Sequence, residues 1–232
     1  NKHFMPGFSA VIITLNEERN IGRCLESLAG VADDIVVVDS GSTDRTEDIC
    51  REHGANFFFN PWKGYIEQKN HGNKLARHSY ILSLDADEAL SDELRASIMA
   101  IKDNPEADAF EMNRLTNYCG KWIRHGGWYP DRKLRLFKRE LFSWGGERIH
   151  EHMVCTEDSP RIEHLSGDLL HYSYYSISEH IAQANHFTNM TAELAVEKGK
   201  KAGMIKILFS PVVKFFRDYF LKAGFLDGYY GY

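Results

Sequence analysis

Residues 35–44 read Ile35-Val36-Val37-Val38-Asp39-Ser40-Gly41-Ser42-Thr43-Asp44. An isoleucine and three valines leave no polar face, which is the pattern of a strand covered on both sides in a parallel sheet. The run stops at an acid and a Ser/Gly turn, and Ser42, Thr43 and Asp44 offer caps for a helix to about His53. The same alternation continues on both sides. Upstream, residues 8–14 form a β-rich run, and Asn16-Glu17-Glu18 suits a helix start, with Ile21, Cys24, Leu25 and Leu28 at helical spacing. Downstream, residues 55–59 read as a third strand, 64–77 as a helix, and 80–84 as a fourth strand closing on Asp85-Ala86-Asp87. Four βα units in succession predict an α/β fold, a mostly parallel, Rossmann-like sheet flanked by helices, with right-handed crossovers.

The second half changes character. Residues 109–114 and 133–138 read as strands, the latter placing Leu134 and Leu136 on one face and Arg135 and Phe137 on the other. Between them lies a Gly- and aromatic-rich stretch running from Tyr118 to Pro130, and two long helices are expected at 178–198 and 205–222. No repeat or linker is visible, so one domain of two lobes is expected.

The 232 residues are 43% hydrophobic, 26% charged and 12% aromatic, which excludes a disordered, collagen-like or coiled-coil chain. With 28 Lys+Arg against 33 Asp+Glu the net charge is −5, a poor balance for general nucleic-acid binding. The charge is uneven, at −6 over residues 1–100, −3 over 101–198 and +4 over 199–232. Cys24, Cys50, Cys119 and Cys155 form no CxxC pair, so reduced thiols are expected rather than a zinc ribbon or redox dithiol. No signal peptide and no apolar run of ~18 residues is visible. GxxxxGK[ST], GxGxxG and GxSxG are absent, and His150-Glu151-His152 is not HExxH, which argues against ATPases, Rossmann dehydrogenases, α/β-hydrolases and zincins.

Open parallel sheets bind ligands outside the carboxyl ends of their strands. Three expected strands end there in polar residues: Thr14-Leu15-Asn16-Glu17, Asp39 to Asp44, and Asp85-Ala86-Asp87-Glu88. Each alone is ordinary turn or cap chemistry; their coincidence at one rim predicts a site. Asp85 and Asp87, two apart on an extended backbone, are expected to point the same way and to repel unless a cation lies between them. Mg²⁺ or Mn²⁺, with a ligand diphosphate completing its shell, answers that requirement; a solvated acidic turn is the alternative.

Three blocks carry a resemblance: SAVIITLNEERNIGRCLESL at 9–28, IVVVDSGSTDRT at 35–46 and QKNHGNKLARHSYILSLDADE at 68–88. In order and spacing they closely resemble family 2 glycosyltransferases with the GT-A fold. The later IHEHM (149–153), LLHYSYYS (169–176) and residues 211–228 look like the branch that glucosylates lipopolysaccharide inner core. The resemblance implies a GT-A domain over 1–200, with 8–90 as its nucleotide-binding half and 91–175 as its acceptor half, and a helical segment over 201–232. It implies a metal-dependent, inverting transfer from a nucleotide sugar, a UDP-hexose, to a saccharide such as lipopolysaccharide core. Thr14, Asn16 and Glu17 would line the nucleoside pocket, and Asp39 would accept the uracil N–H. Lys69 would approach the diphosphate. Asp85 would touch the ribose or a metal-bound water, Ala86 would share the donor site, Asp87 would ligate the metal and His171 would be a third metal residue. A nucleotidyltransferase is the rival, but its Gly-rich basic loop after the first strand is missing. A catalytically silent nucleotide-sugar-binding module is a third reading.

Inversion requires a base across the sugar from the departing group, hence a carboxylate of the second half: Asp131, Glu147, Glu151, Glu157 or Asp158. Glu151 is preferred because Ile149-His150-Glu151 looks like the family's base-bearing motif; an ion pair with Arg148 or a histidine is its alternative role. Trp144 is expected to raise the pKa of Glu151 by desolvation. Trp128, Tyr129 and Trp144, with Trp122 nearby in sequence, are expected to face the acceptor, core packing being the alternative for each.

Residues 203–222 combine many apolar side chains with Lys206, Lys214, Arg217 and Lys222, and Pro211 is expected to kink or restart the helix. Too charged to span, the segment suits an interfacial helix; packing on the domain or in a homodimer is the alternative. The expected location is cytoplasmic, peripheral on the inner face of the membrane. The motif at Gly231-Tyr232 looks interrupted, so a longer natural chain is expected.

Overall fold

The computed structural model describes residues 7–147, 150–199 and 203–231. Strands β1 (Phe8–Thr14), β2 (Asp34–Asp39), β3 (Asn56–Phe59) and β4 (Tyr80–Asp85) lie in the order β3-β2-β1-β4, with β2–β3, β1–β2 and β1–β4 all parallel. Helices α1 (Ile21–Ser27), α2 (Thr46–Glu52) and α3 (Tyr65–Leu75) connect them. Alternate residues feed two cores. Ile12, Val37, Leu82 and Leu84 pack with Ile21 and Leu25, while Val11, Val36, Val38 and Ile81 pack with Phe137. That two-sided burial is why residues 35–38 carry no polar position, each such side chain contributing ~1.5–3 kcal/mol. Gly72 of α3 allows the helix to sit close to the sheet, because a Cβ there would overlap Val11 Cγ1.

The sheet continues with β8 (Asp131–Lys138), antiparallel to β4, then β6 (Ala109–Tyr118), β11 (Ile162–Tyr174) and β5 (Glu88–Leu90), with β5 and β11 antiparallel. Strands β9 (Phe142–Glu147) and β10 (His150–Cys155) form a separate antiparallel hairpin. The expected α/β architecture is therefore present, parallel through β4 and mixed beyond it. Helix α4 (Asp92–Ile101) starts at Ser91, whose Oγ accepts the Leu94 N–H.

Two starts differ from expectation. Helix α1 begins at Ile21, because Asn16 takes a positive φ of 55° and its side chain is used by a neighbouring loop. Helix α2 begins at Thr46, with Asp44 Oδ1 accepting the Thr46 N–H from outside the helix.

The chain divides into two compact units. The first comprises the described residues up to Arg114 together with Arg132–His171. The second comprises Leu115–Asp131 and the chain from Tyr172 onward. In the second, β7 (Lys121–Ile123) pairs with the end of β6. Helix α5 (Ile177–Glu197) opens on a reciprocal Ser176/Glu179 cap, and α6 (Met204–Phe216) contains Pro211 without ending there. A π-helical turn, Arg217–Leu221, and the 3₁₀ segment Gly224–Gly231 follow. All four cysteines are free, and among the described residues no helix is long and apolar enough to cross a membrane.

Candidate active site

The register of the first unit sets the site. Thr14 lies opposite Asp39 and Ile13 opposite Asp85, so three strand ends meet at one rim, with Asp39 and Asp85 two strand spacings apart, about 10 Å. The loops after β1 and β2 are tied together. Asn16 Oδ1 accepts the Thr43 N–H at 2.8 Å, and the Asn16 N–H donates to Ser42 Oγ at 2.8 Å. The Glu17 N–H donates to Thr46 Oγ1 and the Glu18 N–H to Asp44 Oδ2. Asp39, nearly fully buried, accepts from the N–H groups of Gly41 and Ser42 on Oδ2 and from the Ser42 hydroxyl on Oδ1. These bonds occupy three of its roughly four acceptor positions and leave one for a ligand N–H. Thr14 Oγ1 is buried beside it without a hydrogen-bond partner. Burial pushes the Glu17 carboxyl up to about 7, against the bond from Asn20, with Asp87, Asp44 and Asp85 adding to the rise.

Charge at the end of β4 is arranged as a chain. Arg135 Nη2 bonds Glu88 Oε1 at 2.7 Å and Asp85 Oδ2 at 2.9 Å; Lys69 Nζ lies 3.1 Å from Asp85 Oδ1 and 3.5 Å from Glu151 Oε1. Glu88 Oε2 also accepts the Asp85 N–H. Burial alone would raise the pKa of Asp85, but the Lys69 and Arg135 charges outweigh it and hold the carboxyl well below the usual range. Lys69 and Arg135 are themselves 2% and 3% exposed, so their side chains are fixed rather than solvated. Trp144 lies over both cations, 4.4 Å from Lys69 Nζ and 5.7 Å from Arg135 Cζ.

Three consecutive residues of α3 build this arrangement. Gln68 donates to Ser40 Oγ and bonds Asn60, fixing the β2 loop. Lys69 enters the charged cluster, and Asn70 clamps the hairpin by donating to Trp144 O and accepting from Trp144 N. In the hairpin, Met153 faces Trp144 and Glu151 faces Gly146, which sets the carboxylate one turn of the pleat from the indole. The resulting cavity, about 500 Å³, is lined by Lys69, Arg114, Arg132, Lys133 and Arg135 against the carboxylates of Asp85 and Glu151. Such an excess of cations suits an anionic ligand with several oxygens.

The acidic pair departs from expectation. Strand β4 ends at Asp85, and Ala86-Asp87 form a turn, so the two-residue alternation no longer applies. Asp85 faces Lys69 and Arg135, whereas Asp87 Oδ2 meets His171 Nε2 at 3.1 Å. Of the three expected metal residues, Asp87 and His171 come together and Asp85 does not join them. Among the described residues no group of three or more His, Cys, Asp or Glu is placed to hold a metal. A carboxylate and an imidazole with partial exposure do fit a divalent cation whose remaining ligands are diphosphate oxygens and water.

Glu151 finds Lys69 as its ion-pair partner, and Trp144 faces that lysine. Arg148 and Ile149, and the side chains of Glu147 and His150, lie outside the described residues. Trp122, Trp128 and Tyr129 belong to the second unit, where Trp122 packs edge-on against Tyr172, Trp128 against Tyr118, and Tyr129 lies under Arg124. Residues given no role from sequence are Glu88, Arg114 and Arg135. An arginine set among Leu134, Leu136 and Phe137 was the available signal, since a cation with buried neighbours requires a buried partner.

A model described as glycosyl transferase family 2 matches residues 9–156. An uncharacterized glycosyltransferase of Rickettsia bellii is 32% identical, covering 97% of this chain and 79% of its own length. The lipopolysaccharide core biosynthesis glycosyltransferase LpsC of Rhizobium meliloti is 31% identical over 97% of this chain and 84% of its own. Among solved structures, Staphylococcus aureus TarS 1-349 aligns with a TM-score of 0.49 at 18% identity, covering 72% of this chain and 60% of that one. The family match over residues 9–156, with relatives aligned along 97% of the chain, settles the family: this chain belongs to glycosyl transferase family 2.

Proposed function

We propose that the chain transfers a hexose from a UDP-sugar to a saccharide acceptor with inversion at the anomeric carbon. The observation that carries this reading is the linked series Asp85–Lys69–Glu151 in a cationic cavity at the rim that also holds Asp39. Residues 8–90 act as the nucleotide-binding half. The remaining acceptor position of Asp39 takes the uracil N–H, and the unpartnered Thr14 hydroxyl, Asn16 and Glu17 line the nucleoside pocket. Asp85, fixed by two cations, accepts from a ribose hydroxyl, with Ala86 alongside. Lys69 and Arg135 orient and neutralise the diphosphate. A divalent cation, Mg²⁺ or Mn²⁺, held by Asp87 and His171 would supply Lewis-acid stabilisation of the leaving group. Glu151 Oε1 takes the proton of the acceptor hydroxyl, its contact with Lys69 giving way as the donor sugar enters between them, so that base and diphosphate lie on opposite sides of the anomeric carbon.

The acceptor is read as a lipid-linked saccharide of the lipopolysaccharide core type, on the strength of the LpsC likeness and of α6. That helix exposes Ile205, Leu208, Phe209, Val213 and Phe216 beside Lys214 and Arg217, a composition that seats at an anionic membrane surface. Glu151→Gln, assayed with Mn²⁺ and a panel of UDP-hexoses, tests the catalytic assignment. The reading expects donor binding to persist by calorimetry while transfer falls at least ~1,000-fold. Near-normal turnover would remove Glu151 as the base.

A further inference from the structure

We propose that a cavity wholly within the second unit is a saccharide-binding site that takes a hexopyranose ring against Trp128 and orients it through His125. The cavity measures about 570 Å³, inside the ~300–1,000 Å³ range of small-molecule sites. Its walls are aromatic. The Tyr118 ring stands edge-on to Trp128, Tyr174 and Tyr230 at centroid separations of 6.0, 5.5 and 6.4 Å, and Tyr219 closes a further side. Trp128 remains 37% exposed, so part of its ring is open to a ligand. A pyranose presents a face of C–H bonds that packs on such a ring, with hydroxyls at its edge that seek donors and acceptors.

The polar lining supplies both. Asp227, buried, accepts the Arg124 and His125 N–H groups on Oδ2 and meets His125 Nδ1 on Oδ1 at 3.0 Å. A carboxylate only accepts, so Nδ1 is the donor toward Asp227 and Nε2 is the ring nitrogen left for a ligand hydroxyl. Gly126 and Gly127, at φ of 66° and 82°, turn the backbone between His125 and Trp128 so that both line or border one space. The Tyr118 hydroxyl, bonded to His180 Nδ1 at 3.0 Å, and the paired Lys214 and Asp218 add further donors and acceptors. An alkyl chain in the same space would desolvate these groups and return no hydrogen bonds. That difference selects a sugar over a lipid tail.

The test uses the full chain labelled with 5-fluorotryptophan, whose Trp128 ¹⁹F resonance is assigned with Trp128→Phe. The probes are methyl β-glucoside, methyl β-galactoside, methyl α-mannoside and methyl β-N-acetylglucosaminide, with 1-octanol as the apolar control. At least one glycoside shifts the Trp128 resonance saturably and octanol does not. His125→Gln weakens that glycoside about tenfold or more, read by saturation-transfer NMR on the glycoside with the melting curve as control. If His125→Gln unfolds, Trp128→Ala read the same way takes its place and loses binding. No shift with any of the four, an equal shift with octanol, or unchanged binding in the variants overturns the proposal. UDP binding measured on the same samples reports the first unit separately, so the two readings fail independently.

Discussion

Around Asp85, charges are matched link by link: Glu88 to Arg135, Arg135 to Asp85, Asp85 to Lys69, Lys69 to Glu151. In the second unit α6 instead leaves Ile205, Leu208, Phe209 and Phe216 more than half exposed, with cations interspersed. The first arrangement holds its buried ions in pairs while cations remain in excess along the cavity wall: buried ions are tolerated only when paired, and breaking one link strands the next. The second consists of apolar surface that gains free energy only when something covers it. Rigidity therefore belongs to the residues proposed to carry the chemistry, and adaptable surface to α6, proposed to meet the membrane.

The comparison predicts effects of decreasing size. Glu151→Gln, the last link, should reduce transfer at least ~1,000-fold, about 4 kcal/mol of barrier, with little change in melting temperature. Arg135→Met should destabilise the fold by about 3–5 kcal/mol by leaving Glu88 and Asp85 less well matched. Adding Glu88→Gln should recover part of that loss in denaturant titrations. A single-variant cost under ~1 kcal/mol would mean that the links act separately. Asp87→Asn should weaken calorimetric binding of UDP with Mn²⁺ about ten- to a hundredfold and leave stability nearly unchanged.

Glu17 gives a pH prediction. Its folded pKa of about 7 lies above its ordinary value of 4.5, so the folded state binds more protons between those values. Stability from this group is complete below pH 4.5 and is lost as pH rises toward 7. Solvent access limits the effect to on the order of 1–2 kcal/mol. Glu17→Gln should flatten that part of the stability-versus-pH curve. The smallest effect belongs to the second unit: Phe209→Ser with Phe216→Ser should lower cosedimentation with anionic vesicles several-fold without changing UDP affinity. Unchanged cosedimentation would leave α6 to packing or self-association.

Legibility followed the same divide. Ile35 to Val38 and Tyr80 to Leu84 were readable because burial on both faces of a parallel strand imposes a local, uninterrupted apolar pattern. The rim was readable because Thr14, Asp39 and Asp85 end such strands. The fate of Asp85 and Asp87 was not: the strand stops between them, and a turn sends each to a partner distant in sequence, Arg135 or His171. Arg135 itself looked like half of an alternating pair, since nothing local marks a cation as matched by Glu88. In the second unit the aromatic residues were visible individually. Their meeting around one cavity, and the hold of Asp227 on His125 about 100 residues away, depend on long-range packing that no short window contains.

The rim of the parallel sheet is proposed to bind a nucleoside diphosphate through Lys69 and Asp39. Calorimetric titration of UDP with Mn²⁺ into the wild-type chain, Lys69→Met and Asp39→Ala tests it most directly, with folding of each variant checked by its melt. Saturable binding to the wild type, weakened tenfold or more in both folded variants, is the predicted result. No binding to the wild type, or equal affinity in all three, would contradict it.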